Sequence, residues 1–225
     1  MAIETSIDRS GAGSLLRAEY VLAALAVLSL ALVPIHITTI YSGLPAHPLF
    51  LHVPVILIPV ATVWAVVLVA RPAWFMRSGV WLGILTVVAL AGTFLTVGAG
   101  KALQSALHLT GGFGPGALVA RHAHAGELLR DFMILFTGAV IVALFAHRVA
   151  AGMVSGISWL DSLARRPAVL ILLRIALVVL AIVCAYFVFH TGDLGAKAVW
   201  QGRLSGGGPG GGGGPVNQLF GPGGG

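Results

Sequence analysis

Residues 49–70 read LFLHVPVILIPVATVWAVVLVA, without one charged side chain. A run of this length covers the ~20 residues that an α-helix needs to cross the hydrocarbon of a bilayer. Four other stretches read the same way, at 19–41, 79–100, 126–147 and 168–190. The sequence therefore predicts an all-α membrane bundle of five transmembrane helices, a four-helix core preceded by an extra N-terminal helix. Composition agrees. Of 225 residues, 58% are hydrophobic and 9% charged, with a mean hydropathy of +0.99, whereas a soluble domain is about 25% charged. Too few polar faces remain to solvate a soluble globule.

Residues 1–18 are predicted to be a polar cytoplasmic lead and 19–43 the extra helix. Residues 44–200 form the four-helix membrane domain, and 201–225 a glycine-rich flexible tail. The run from Val21 to Val33 behind Arg17 has the outline of a secretory signal. However, Pro34-Ile35-His36-Ile37 stands where a small-residue cleavage site is expected, so the helix is read as retained. The tight connection Ser42 to Ala46 predicts that the first two helices are antiparallel neighbours. Gly79 and Gly83 form a small-xxx-small pair that lets helices approach. Residues 101–125 are predicted to be a long loop. Residues 148–167, with Trp159, Leu160 and Leu163 beside Asp161, Arg165 and Arg166, suit a short interfacial helix. The tail Ser205–Gly225 reads as flexible, with Asn217-Gln218-Leu219-Phe220 as the element that would dock on a partner subunit. No internal repeat is evident.

The net charge of +6 needs no nucleic-acid partner, because basic residues mark cytoplasmic loops. Seven of them (Arg9, Arg17, Arg71, Arg77, Arg148, Arg165, Arg166) fall on one side, and four (Lys101, Arg121, Lys197, Arg203) on the other. This predicts a multi-pass protein of the bacterial inner membrane, with a cytoplasmic N-terminus and an extracytoplasmic C-terminus. The single cysteine, Cys184, excludes an intramolecular disulfide.

Histidine carries the functional signal. His36, His47, His52, His108, His122, His124 and His190 fall at one face of the predicted bundle, and His147 at the other. Imidazole is costly near hydrocarbon and is a ligand for haem iron and transition metals. In His47-Pro48-Leu49-Phe50-Leu51-His52-Val53-Pro54, Pro48 suits a first helical turn, and His52 is the expected inward ligand, with His47 orienting it or binding a second centre. In His122-Ala123-His124-Ala125-Gly126-Glu127-Leu128-Leu129-Arg130-Asp131, read as opening a helix, His124 is the candidate ligand. His122, Glu127 and Asp131 are candidate hydrogen-bonding neighbours of a ligand, and the two carboxylates also suit a first helical turn. His190-Thr191-Gly192-Asp193-Leu194-Gly195 is read as closing a helix, with glycines that admit a turn or a flat group. His36 joins the same layer, and His108 is read as loop.

The His-Pro-x-x-x-His-x-Pro opening, the histidine of the second motif and the closing His-x-Gly-x-x-Gly resemble a bacterial four-helix membrane family, domain of unknown function twenty-two thirty-one, over Leu44 to Trp200. Val53 stands where that family has phenylalanine, and Asp193 where relatives often carry a polar residue or histidine. The resemblance implies the four-helix architecture and the recurrence of His47, His52, His124 and His190; it supplies no reaction.

The leading expectation is a non-catalytic electron-transfer subunit that holds b-type haem through histidines near the extracytoplasmic face. His52 with His124 would be one axial pair and His36 with His190 a looser one. Quinone or a periplasmic redox protein would exchange electrons with it. A second expectation is a Zn or Cu permease or sensor subunit using His52, His124 and Glu127, although no Met-rich relay supports copper(I) handling. A third is a cofactor-free anchor or assembly subunit. No c-type haem attachment motif, hydrolase triad or phosphate loop is present.

Overall fold

The computed structural model describes residues 9–40, 43–107, 115–155 and 158–204. His108 and residues 205–225 of the expected glycine-rich tail, including the expected docking element, lie outside them, while 201–204 are helical. Seven α-helices follow one another: α1 (Arg9–Ser29), α2 (Ala46–Phe50), α3 (His52–Ala70), α4 (Phe75–Ala106), α5 (Pro115–Ala150), α6 (Ser158–Ala164) and α7 (Pro167–Leu204). Four segments are long and apolar enough to cross a membrane: α2 with α3, then α4, α5 and α7. The chain is an all-α membrane helical bundle with α1 as a smaller addition.

Several boundaries differ from the sequence expectation. The first helix begins at Arg9, inside the expected polar lead, and ends in a 3-10 turn at Leu30–Leu32. Pro34 has no N–H to carry the ladder further. The chain then runs through a two-stranded antiparallel ladder, Thr39–Ile40 with Leu44–Pro45, turned through Gly43 at φ 76. The first helix packs on α4 and α5, rather than chiefly on the second span.

The expected long loop is mostly helix. α4 continues to Ala106 and α5 starts at Pro115, where proline's fixed φ suits a first turn. α7 likewise passes through Gly192 and Gly195, helped by the Asp193–Lys197 pair one turn apart at 2.7 Å. Hydropathy marks where hydrocarbon ends, and helix-forming residues carry these helices beyond it. His122, His124 and His190 are therefore inside helices rather than at their ends. Glu127 and Asp131 are far from the first turn of α5, so the dipole role expected for them is excluded. The short helix expected within 148–167 is present as α6, with Trp159 exposed and Asp161 buried.

The core has an internal order that the sequence reading missed. α3, α4, α5 and α7 form a closed ring in which each packs on the next and α7 packs back on α3. It consists of two hairpins, α3–α4 and α5–α7, whose matching positions stand at constant sequence steps, the pattern expected of an approximate twofold axis along the bundle. The step from His47 to His122 equals the step from Thr62 to Thr137. The step from Thr86 to Ala181 equals those from Thr96 to Thr191 and from Gly100 to Gly195. Hydrogen bonds obey the same steps. Thr62 Oγ1 donates to the Ala181 carbonyl at 3.1 Å, and Thr137 Oγ1 donates to the Thr86 carbonyl at 3.3 Å. Burial obeys them too. Pro54, Ile58, Ala61, Ala65 and Leu68 map onto Leu129, Met133, Phe136, Val140 and Ala143, and all are buried. The repeat escapes notice because most paired positions keep only size and apolarity.

Two polar ends flank this apolar core. At about 1.5 Å per residue, the stretch of α5 from His122 to His147 spans roughly 37 Å, enough to bracket a hydrocarbon layer of about 30 Å.

Candidate functional site

The histidine end is built twice by the same device. His47, at the start of α2, turns its ring onto α4, with Nδ1 2.9 Å from the Thr96 carbonyl. His122, in α5, turns its ring onto α7, with Nδ1 2.8 Å from the Thr191 carbonyl. One turn beyond each threonine stands a glycine. A Cβ on Gly100 would come within 3.0 Å of the His47 ring, and one on Gly195 within 3.1 Å of the His122 ring. Thr-x-x-x-Gly on the second helix of each hairpin is thus a seat for an imidazole from the first.

The hydrogen bonds fix the chemistry of the rings. A carbonyl oxygen only accepts, so each Nδ1 carries the proton. In the neutral ring Nε2 then keeps its lone pair. Among the described residues neither Nε2 has a hydrogen-bond partner. The rings meet edge to face, with centroids 5.9 Å apart and planes at 88°. Beside them the Thr191 hydroxyl is buried without a partner, while its counterpart Thr96 donates to the Gly92 carbonyl at 2.7 Å.

The other expected residues are placed differently. The inward ring of the opening motif is His47; His52 is exposed, its Nδ1 2.7 Å from the Pro48 carbonyl. His124 is exposed on α5. His190 is half-buried and stacks on Tyr186, with centroids 5.6 Å apart. Among the described residues no ring contact or hydrogen bond joins His52, His124 and His190 to one another. His36 is exposed, with Nδ1 2.8 Å from the Pro34 carbonyl. It lines a cavity of about 250 Å³ with Phe94, Gly98, Lys101 and Arg130. Glu127 pairs with Lys101 at 2.7 Å and Asp131 with Arg130 at 2.7 Å, so both carboxylates are paired with cations, and His124 is a further electrostatic neighbour of Glu127. Among the described residues no three histidine, cysteine or acidic side chains form a group able to hold a metal ion.

The opposite end is also polar. Arg148, at the end of α5, forms an ion pair with Glu19 of α1, and both side chains are almost wholly buried, at 2% and 3% exposure. The charges touch, yet neither Glu19 oxygen, nor Nε or Nη1 of Arg148, makes a well-directed hydrogen bond. His147 stacks on Phe75 with centroids 4.1 Å apart and places Nδ1 2.8 Å from the Ala143 carbonyl. Its Nε2 faces the Arg174 guanidinium at 3.3 Å. Sequence reading missed the Glu19–Arg148 pair. The signal was a lone acid and a lone arginine at the edges of apolar runs, each of which needs a partner when buried.

Family models, curated proteins and solved structures gave no match to the chain.

Proposed function

We propose that the chain is a non-catalytic membrane subunit that holds one transition-metal ion between His47 and His122, on the approximate twofold axis. The observation that carries this reading is the duplicated seat. Two rings on different helices each have Nδ1–H committed to a backbone carbonyl and Nε2 left as a donor lone pair. That is the arrangement in which a hydrogen bond on one ring nitrogen orients the other for a metal. Two metal–nitrogen bonds of about 2.0–2.1 Å set the ring centroids roughly 6 Å apart, close to the 5.9 Å found here. The buried Thr191 hydroxyl supplies a spare polar group for water or a further ligand.

Copper is the ion best suited to this donor set. Imidazole binds copper well, and copper heads the divalent affinity order. A bound copper ion would supply one-electron chemistry, with quinone or a periplasmic redox protein as the exchange partner. The chain's own residues fix ring orientation through Thr96 and Thr191 and admit the rings through Gly100 and Gly195. Zinc would make the same pair a structural tie.

Haem b is the second reading, favoured by one observation: it needs only two protein ligands, and two imidazoles are what the described residues bring together. The donor set fits. Among the described residues a cavity of about 250 Å³ at this end is lined by neither His47 nor His122 and is smaller than the ~300–1,000 Å³ of ordinary ligand pockets, which favours the single ion. The four-helix family resemblance accords with either centre. In this reading the histidine end faces away from the cytoplasm, the N-terminus lies inside, and the chain resides in a bacterial inner membrane.

The test is elemental analysis of the chain purified in mild detergent, beside oxidised and reduced visible spectra. About one copper or zinc per chain without haem bands is expected. Stoichiometric haem would replace the single-ion reading. Neither haem nor metal in freshly isolated protein would leave an anchor whose histidines only tie helices together.

A further inference from the structure

The approximate twofold gives every groove of the bundle a counterpart. α1 lies in the groove between α4 and α5. Gly83 floors that groove, since a Cβ there would collide with Leu22 of α1, while Gly79 makes room for Leu144 of α5 against α4. The steps that relate the hairpins carry Gly79 to Arg174, Gly83 to Val178 and Val69 to Leu144. The counterpart groove therefore runs between α3 and α7, and it holds an open cavity of about 410 Å³ lined by Val69, Ile171, Arg174, Ile175, Val178 and Val179.

The two grooves differ in ways that select different occupants. Small residues let a helix approach closely, and the α4–α5 groove has them. In the α3–α7 groove an arginine and a valine replace both glycines, so a helix backbone is held off. What remains is an open channel walled by branched aliphatic side chains, which suits a hydrocarbon chain. The charges differ as well. In the first groove α1 delivers Glu19 to Arg148. In the second, the polar contact of Arg174 among the described residues is with the His147 imidazole, whose Nδ1–H is already given to the Ala143 carbonyl and whose Nε2 accepts from the guanidinium. That imidazole is neutral. Among the described residues no carboxylate lies within ion-pair reach of Arg174.

A guanidinium beside hydrocarbon needs an anion or a route to the interface. Arg174 is about 10 Å along α7 from its start at Pro167, within reach of the headgroup region for a long side chain. α6, with Trp159 exposed, lies next to this end of α7 and suits the same interfacial depth.

We propose that the α3–α7 groove binds an anionic phospholipid, with its phosphate on Arg174 and an acyl chain along Val69, Ile175 and Val178. The site is independent of the histidine pair. It explains why the twofold is broken at this end: one groove receives its carboxylate from α1, and the other takes its anion from the membrane.

Native mass spectrometry of the full chain, released from bilayers of phosphatidylcholine and phosphatidylglycerol, tests this. Wild type should retain about one phosphatidylglycerol with a preference of about fivefold over phosphatidylcholine. Arg174→Gln should abolish the preference, and Val178→Trp, which fills the channel and keeps the charge, should lower retention of both lipids. Undiminished preference in Arg174→Gln overturns the assignment. Displacement of the lipid signal by millimolar inorganic phosphate would make the site one for a free anion. Crosslinking of Val178→Cys to a second copy or another polypeptide in native membranes would make the groove a helix-docking face. Either result overturns the lipid. Thermal unfolding of each variant in detergent separates loss of the site from loss of the fold.

Discussion

His47 and His122 meet edge to face, ring centroids 5.9 Å apart, at the point where two equivalent helical hairpins come together. Neither ring is placed by its own helix alone. Each is held by a carbonyl on the following long helix and admitted by the glycine one turn beyond it. The site is therefore a property of the repeat, and its two halves should respond alike to matched changes.

Gly100→Ala and Gly195→Ala test the seats. A helical glycine replaced by alanine ordinarily gains up to about 1 kcal/mol of helix stability. Here the added methyl lies 3.0–3.1 Å from an imidazole and must displace it. Metal content should fall in both variants while the unfolding temperature holds or rises. Full metal occupancy in both would separate the glycines from ligand positioning.

Thr62→Val and Thr137→Val test the repeat where no ligand is involved. Each removes one hydroxyl-to-carbonyl bond between the hairpins, and each loss should be about 0.6 kcal/mol, the usual size for such bonds between membrane helices. Reversible unfolding in mixed micelles measures both. A large loss from one and none from the other would argue against equivalent hairpins.

The buried Glu19–Arg148 pair should be asymmetric to mutation. Glu19→Ala or Arg148→Ala leaves one buried charge uncompensated and should destabilise the bundle by about 3–5 kcal/mol. Glu19→Leu combined with Arg148→Met should recover most of that loss, because the present contact makes no well-directed hydrogen bond. A double variant as unstable as the singles would show that the charges do more than cancel each other.

Gly83→Leu should loosen α1 and leave the four-helix ring in place, since the new side chain would occupy the position of Leu22. Overpacking of this kind costs about 1–3 kcal/mol. Limited proteolysis in micelles should then cut near α1 sooner than in wild type. Unchanged protection of α1 would contradict its assigned seat.

How far the sequence reveals this structure depends on which signal each feature writes into it. The apolar runs gave the membrane bundle, because hydrocarbon tolerates few alternatives to apolar side chains. Arg71-Pro72 ends α3 through backbone chemistry alone. Helix ends past the apolar layer were hidden, because hydropathy is silent once the chain leaves hydrocarbon; Lys101 to Ala106 and Ala196 to Trp200 are helical for reasons of propensity. The histidine end was legible as a layer. Its pairing was not, since His47 and His52 differ by which way a ring points from a helix broken at Leu51. Thr96 and Gly100, or Thr191 and Gly195, carry no metal-ligand signature. They become visible only when the repeat aligns them.

The most direct test is metal occupancy in His47→Ala and His122→Ala, each purified as the full chain beside wild type, with folding verified by thermal unfolding. Wild type should hold about one copper or zinc per chain, with a matched loss, to a tenth or less, in each folded single variant. Wild-type occupancy retained in both variants, or lost in only one, would contradict a shared site on the twofold axis.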